Sequence, residues 1–412
     1  MARDKARLRI GVIFIQNALG ECVIGFESFY AIKAIYDCEL IVFAKPTMQN
    51  LLRHCEFVDE VRECTKEDID AVRCDYVILS NAKTIFINFA LSTNARKIIC
   101  ATKFRSLFSL RCRTVPIYMG KRYYHYDERQ ILLAYARAID PKRYDERIGN
   151  IDLANAKIAC GSEHEEKAQK LLAAELAKRV KLDSSRDVSK DSGKNPARYL
   201  VMINPFNNAC PYSLSLHGFL RLIDRVASRC DCIPLVITFE KVHARFVEAL
   251  TQYYSKRYCG GSQTIAKIAT SQAEQTSTHN VAAPPPISFL NSTALDSSPE
   301  PTPIDSTPLQ KLIVYQNTDE LLMLGALISQ SSVVISPSTG ALHFALNERI
   351  PTIAIYPRYD TRRWATHNKR YVFVETRMDS ITLAEEERII EECMNTLADM
   401  INQGELARIQ AF

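Results

Sequence analysis

Glycine is scarce in this chain, 13 among 412 residues, and the glycine-built phosphate cradles are missing with it. Neither GxGxxG nor GxxxxGK[ST] occurs, which removes the dinucleotide fingerprint and the P-loop. GxSxG and HExxH are absent as well, excluding the nucleophile elbow of the α/β-hydrolases and the helix of the zinc proteases. No run approaches the roughly 20 apolar residues that cross a bilayer, so any membrane contact is expected to be peripheral. A large charge excess is also lacking: +5 is modest for this length and does not imply a nucleic-acid partner. Cysteine is present, at 13, but scattered singly. The nearest pair, Cys230 and Cys232, is too close for a zinc knuckle, so these read as reduced, mostly buried thiols of a cytoplasmic protein.

An apolar share of 47% supports globular folding, and the length exceeds one ordinary core, which predicts two domains. The opening MARDKARLRIGVIFIQ sets basic residues ahead of an apolar run, as a signal peptide does. That run is short and leads into Gln16 and Asn17, so a first β-strand is expected instead. Buried strands are then read at Ile10–Ile15, Leu40–Ala44 and Tyr76–Leu79, continuous apolar runs of the kind found in parallel sheets, with helical stretches between them. The polar stretch 183–198 has no apolar face and reads as a linker. A second alternating series follows, with strands at Tyr199–Asn204, Ile233–Phe239, Leu312–Tyr315, Val333–Ile335 and Thr352–Tyr356 and a closing amphipathic helix at Leu383–Asn402. Within it, 255–310 is rich in Ser, Thr, Pro and Ala and cannot bury enough apolar area to offset its ordering entropy, so a disordered insertion is expected. The chain therefore divides into domains at 1–182 and 199–412 joined by a linker. The strand ends of two such domains would meet at a cleft, where open parallel sheets bind ligands.

The chemistry is most concentrated in ISPSTGALHFALNERIPTIAIYP, residues 335–357. A strand runs into a Ser-Thr-Gly corner, a helix begins with Ser338 or Thr339 as its N-cap, and a second strand follows: a βαβ unit. The corner offers backbone N–H groups of Thr339, Gly340 and Ala341 at the carboxyl end of a strand, where an anion gains from hydrogen bonds and the helix dipole together. Two weaker signals are set aside. Asp68-Ile69-Asp70 has the form of a metal-holding DxD but sits in a stretch that reads as a solvated helix. His164 has acidic neighbours and no second ligand at a useful spacing.

Four segments in order carry a resemblance. Ala18-Leu19-Gly20-Glu21 after the first strand, INPFNNACPYSLSLHGF at 203–219, STGALHFA at 338–345 and IPTIAIYPRYDTRRW at 350–364 resemble the ALGD, INP, D[ST]GxxHxA and PTIALFGPTDPxRW segments of the bacterial heptosyltransferases, glycosyltransferase family 9. The resemblance implies an α/β GT-B fold of two Rossmann-like parallel-sheet domains facing each other across a cleft, the carboxyl domain holding a nucleotide sugar and the amino domain the acceptor. It further implies inverting, metal-independent transfer of heptose from ADP-heptose to the lipopolysaccharide core, with no cofactor, at the cytoplasmic face of the inner membrane. By this resemblance Glu21 is the catalytic base, while Ser338, Thr339, Gly340, Ala341 and His343 hold the donor. Tyr212, Arg363 and Trp364 fall where donor or loop contacts are expected. For Glu21 the plainer alternative is an acid favouring a helix N-terminus; for His343 it is a histidine packed under the helix.

Three departures accompany the match. Tyr212 stands near the family's lysine, Ser338 replaces its aspartate, and Glu21 is one methylene longer than its ALGD aspartate. They leave open a second reading, a non-catalytic binding protein with a GT-B shell that recognises a nucleotide sugar or glycan. Lastly, Lys103, Arg105, Arg111, Arg113, Lys121 and Arg122 form a basic run with no acid among them and with Phe104, Phe108, Tyr118 and Tyr123 nearby. It suits an anionic glycolipid acceptor or the inner leaflet, or is a solvated basic loop.

Overall fold

A computed structural model describes residues 7–15, 19–117, 125–158, 160–184, 198–206, 210–257, 310–318, 321–364 and 369–409. The chain separates into two compact units, 1–161 with 359–367, and 162–358 with 368–412.

The first unit follows the expected alternation. Its strands are β1 (Leu8–Phe14), β2 (Cys38–Ala44), β3 (Glu60–Glu63), β4 (Tyr76–Leu79), β5 (Lys97–Ala101) and β6 (Cys112–Val115). They form one parallel sheet in the order β3-β2-β1-β4-β5-β6. Parallel neighbours need a crossover, and the connections supply helices: α1 (Leu19–Tyr36), α2 (Pro46–Arg53), α3 (Lys66–Val72), α4 (Thr84–Ser92) and the single turn α5 (Phe104–Leu107), followed by α6 (Glu128–Arg137) and α7 (Pro141–Arg147). The core between sheet and helices holds Ile13, Ile41, Phe43, Ile69, Val77, Leu79, Ile87 and Ile98, all fully buried. α1 is buried along most of its length because α6 covers the side turned from the sheet. Ser28 Oγ donates to Leu132 O, and Tyr36 OH to Ala136 O at 2.9 Å, locking the two helices together.

The second unit opens with the long helix α8 (Ser162–Ser184). Its strands β7 (Tyr199–Ile203), β8 (Cys232–Phe239), β9 (Ile313–Asn317), β10 (Val333–Pro337), β11 (Thr352–Tyr356) and β12 (Lys369–Phe373) are parallel, in the order β12-β11-β10-β7-β8-β9. The helices are α9 (Leu216–Ser228), α10 (Glu240–Arg257), α11 (Leu321–Ser329), α12 (Gly340–Asn347) and α14 (Leu383–Asn402); α13 (Arg358–Trp364) carries the chain back into the first unit. The closing helix lies where its apolar period predicts. It packs on α9, where the buried Glu386 carboxylate takes an Arg221 guanidinium at 2.5 Å.

Two boundaries differ from the sequence reading. The first unit ends at Gly161 rather than at 182, because α8 packs on α11 of the second unit. Residues 359–367 also return to the first unit, which no composition shift announces. The expected linker overlaps the end of α8, and the expected insertion overlaps the end of α10; residues 185–197 and 258–309 lie outside the described residues.

Candidate active site

In each sheet the strand order reverses once, between β1 and β4 in the first unit and between β7 and β10 in the second. Chains leaving two such neighbours diverge to opposite faces, so a crevice opens at their carboxyl ends and becomes the natural ligand position.

In the first unit this crevice is a cavity of about 420 Å³. Phe14 at the end of β1, Glu21 and Ile24 on α1, and residues 80–84 after β4 line it, with Lys103, Glu128, Leu132, Arg363 and Trp364. Glu21 sits in the first turn of α1, and Glu128 opens α6 under a capping box of Asp127 and Gln130. Arg363 Nε reaches Glu128 Oε1 at 2.5 Å, and its guanidinium stacks 4.8 Å from the Trp364 ring. Two carboxylates thus share a hollow with Lys83, Lys103 and Arg363. Burial lifts the Glu21 carboxyl above its ordinary value, the Glu128 charge lifts it further, and Arg363 and Lys83 pull the other way. A carboxylate so placed is a stronger proton acceptor than a solvated one.

The first-unit cavity gathers Glu21, Arg363, Trp364 and Lys103, which the sequence reading had assigned to different tasks. Arg363 and Trp364 were expected as contacts to the donor or a loop; they line the cavity with Glu21. Lys83 and Glu128 escaped the sequence reading. The polar SNAKT corner behind the Tyr76–Leu79 strand is the same kind of signal as the Ser-Thr-Gly corner and could have pointed to Lys83. Glu128 looks only like a helix-start acid.

In the second unit the Ser338–Ala341 corner lies where β10 meets α12, beside the end of β7. Thr339 holds the N-cap position with extended backbone, φ −138° and ψ 167°, but its hydroxyl caps no amide. It is held by Asn204 Nδ2 at 2.9 Å and shares a hydrogen bond with Ser336 Oγ at 2.9 Å. Asn204, itself buried at the end of β7, also donates to Ser336 Oγ at 3.1 Å and accepts from Phe206 N–H. This network ties the ends of β7 and β10 together across the switch point and leaves the first-turn amides of α12 uncapped by the Thr339 side chain. Asn204 and Ser336 were not singled out in the sequence, since nothing local distinguishes them.

His343 is only 5% exposed. Burial, with the Lys369 charge adding to it, pushes its imidazole down to about 3. It is therefore a neutral group packed inside the unit, as the plainer of its two expected placements has it. Tyr212 packs at the edge of the second unit's core, so an aromatic ring occupies the region where the resemblance implies a cation. Ser338 is half-buried at the corner and supplies no charge.

The basic run needs a larger correction. Arg111 is consumed by carbonyls: its guanidinium donates to Leu91 O, Thr93 O and Ala95 O, closing the end of α4. Arg113 does the same for Ala138 O and Ile139 O behind α6. Lys103 and Arg105 remain exposed, while Lys121, Arg122, Tyr118 and Tyr123 lie outside the described residues. Asp68 and Asp70 are spent within α3: Thr65 caps Asp68 N–H, and Asp70 pairs with Lys66 and accepts from Asn94 N–H. Among the described residues no three His, Cys, Asp or Glu side chains gather as a metal site, and no helix is long and apolar enough to cross a membrane.

No family model matches the chain, and no curated protein matches it either. Solved structures do. A glycosyl transferase family 9 protein from Veillonella parvula DSM 2008 is 14% identical, with a TM-score of 0.58 over 95% of this chain and 97% of that one. The E. coli ADP-heptose LPS heptosyltransferase II is 11% identical, with a TM-score of 0.57 over 95% and 99%. The E. coli heptosyltransferase WaaC with ADP-2-deoxy-2-fluoro heptose is 11% identical, with a TM-score of 0.52 over 94% and 100%. The fold is GT-B. The expected pair of Rossmann-like domains is thereby realised as two six-stranded parallel sheets.

Proposed function

We propose that this protein is an inverting, metal-independent glycosyltransferase that moves a sugar, heptose from ADP-heptose by resemblance, onto a lipopolysaccharide core or related glycolipid at the cytoplasmic face of the inner membrane. The observation that carries this reading is Glu21, a half-buried carboxylate with raised proton affinity, in a cavity at the switch point of a GT-B unit. Two neighbours with this fold add support, one an ADP-heptose LPS heptosyltransferase and the other solved with ADP-2-deoxy-2-fluoro heptose.

In this reading Glu21 takes the proton of the acceptor hydroxyl as its oxygen attacks the anomeric carbon, and the bond from that carbon to the diphosphate breaks with inversion. The nucleoside diphosphate leaves with the bonding electrons, and its charge falls to the first-turn amides of α12 at Gly340 and Ala341 and to the helix dipole. Lys83, Lys103 and Arg363 serve an anionic acceptor in the Glu21 cavity.

The test is Glu21→Gln, which keeps shape and removes the base. Turnover should fall by about 10²–10⁴-fold, with donor affinity changed by no more than a few fold. Activity retained at a substantial fraction would remove Glu21 from this role. A second reading, a binding protein with the same shell, is favoured by one specific observation: Ser338 and Tyr212 leave the donor corner without its carboxylate and cation. Thermal shifts with ADP-, GDP- and UDP-sugars followed by a hydrolysis assay separate the two, because a binder is stabilised without turnover.

A further inference from the structure

Among the described residues eight large apolar side chains are exposed, and five of them, Ile85, Phe104, Leu107, Phe108 and Leu110, fall within one stretch of the first unit. Their exposures are 69%, 80%, 61%, 72% and 97%, so they are displayed outright rather than grazed by solvent. Phe104 and Phe108 pack edge to face at 4.7 Å, an aromatic pair formed outside the core. The stretch is one surface. Arg105 on α5 donates to Asn88 of α4 at 3.3 Å, and Ile85 lies one helical turn before Asn88. Lys97 donates to the carbonyl of Leu110 at 3.1 Å. Isolated exposed apolar residues need no explanation, but a contiguous set on a short turn marks an interaction surface.

Charge identifies what that surface meets. From Tyr76 to Tyr126 the sequence contains no Asp or Glu and nine Lys or Arg residues. Lys97, Lys103 and Arg105 are the exposed cations bordering the apolar turn. Aromatic and leucine side chains ringed by cations suit an anionic lipid surface, where the apolar groups enter the acyl boundary and the cations stay among the headgroups. We infer that the α5 turn is a wedge by which this protein docks on an anionic bilayer. Lys103 both heads α5 and lines the Glu21 cavity, so docking brings that cavity to the lipid surface. The wedge rests on the transferase reading only for its use, access to a lipid-borne acceptor.

Co-sedimentation with vesicles of phosphatidylcholine alone or with 30% phosphatidylglycerol, about a third anionic lipid in the range that gives bilayers their surface potential, tests the inference without donor or acceptor present. Failure here therefore leaves the Glu21 reading intact, and loss of the Glu21 role leaves this one intact. The full chain should bind the anionic vesicles and release with salt. Phe104→Ser, Leu107→Ser, Phe108→Ser and Leu110→Ser combined should weaken partitioning by about tenfold or more. Lys97→Glu with Arg105→Glu should weaken it by about tenfold, selectively for anionic vesicles. All six positions are exposed, so melting temperatures should stay near that of the unaltered protein. No binding to anionic vesicles, or equal binding by the serine variant, would overturn the inference. So would a dimer that the serine variant converts to monomer without any vesicle binding, since a second copy would then own the surface.

Discussion

Glu21 and Glu128 lie near enough to affect each other, and the direction of that effect can be measured. Because burial and the Glu128 charge both raise the Glu21 carboxyl, the acid limb of kcat/KM should fall at a higher pH than for an ordinary glutamate. Glu128→Gln removes one raising charge and leaves Arg363 without that counter-ion. Both changes favour the ionised form of Glu21, so the acid limb should move to lower pH. A pH–rate profile of the variant that superimposes on the parent would show that Glu128 only anchors a loop. At this scale the sequence was half legible. Glu21 stood at a recognisable strand-to-helix corner, whereas Glu128 and Arg363 reach the same cavity from positions 235 residues apart, a meeting that no local pattern encodes.

Elements were easiest to read where burial was complete. β4 and β11 match their apolar runs residue for residue, since both faces of an interior parallel strand select apolar side chains. β3 (EVRE), β6 (CRTV) and β12 (KRYVF) have charged or polar sequences and no such run, because they are edge strands with partly exposed faces. The helices hold through specific pairings as well as apolar stripes. Glu386 of α14 takes Arg221 of α9 and also accepts from Ser215 N–H at 2.8 Å. A Cβ on Gly218 would come within 2.7 Å of its Oε1, so a glycine there makes room for the pair. Glu386→Ala leaves the largely buried Arg221 guanidinium with Glu387 as its remaining partner and strands the Ser215 amide, and should cost about 1–3 kcal/mol, read as a lowered urea midpoint. A loss under about 1 kcal/mol, typical of an exposed pair, would mean that solvent already screens this contact.

The whole molecule's response to acid should carry the mark of His343. An unfolded histidine takes up a proton near 6.5, and the folded one near 3, so between these values the unfolded chain binds the extra proton. Stability is full above about 6.5 and is lost as pH falls through that window. His343→Gln should flatten the decline, seen as urea midpoints at neutral, mildly acidic and more acidic pH. Parallel curves for variant and parent would place the acid sensitivity elsewhere. The neutral state depends on burial of the inner face of α12, one of the two placements that the STGALHFA segment left open.

Apolar run length and turn residues alone, both local properties of the chain, dictated the α/β alternation, the two-sheet count and the helix-opening corners after strands. The order of strands, and with it the two switch points where Glu21 and Thr339 come to lie, was settled by tertiary packing. So were the loss of Arg111 and Arg113 to backbone carbonyls and the return of residues 359–367 to the first unit. These depend on which distant groups must be satisfied or buried together, and a side chain's neighbours along the chain carry no record of that.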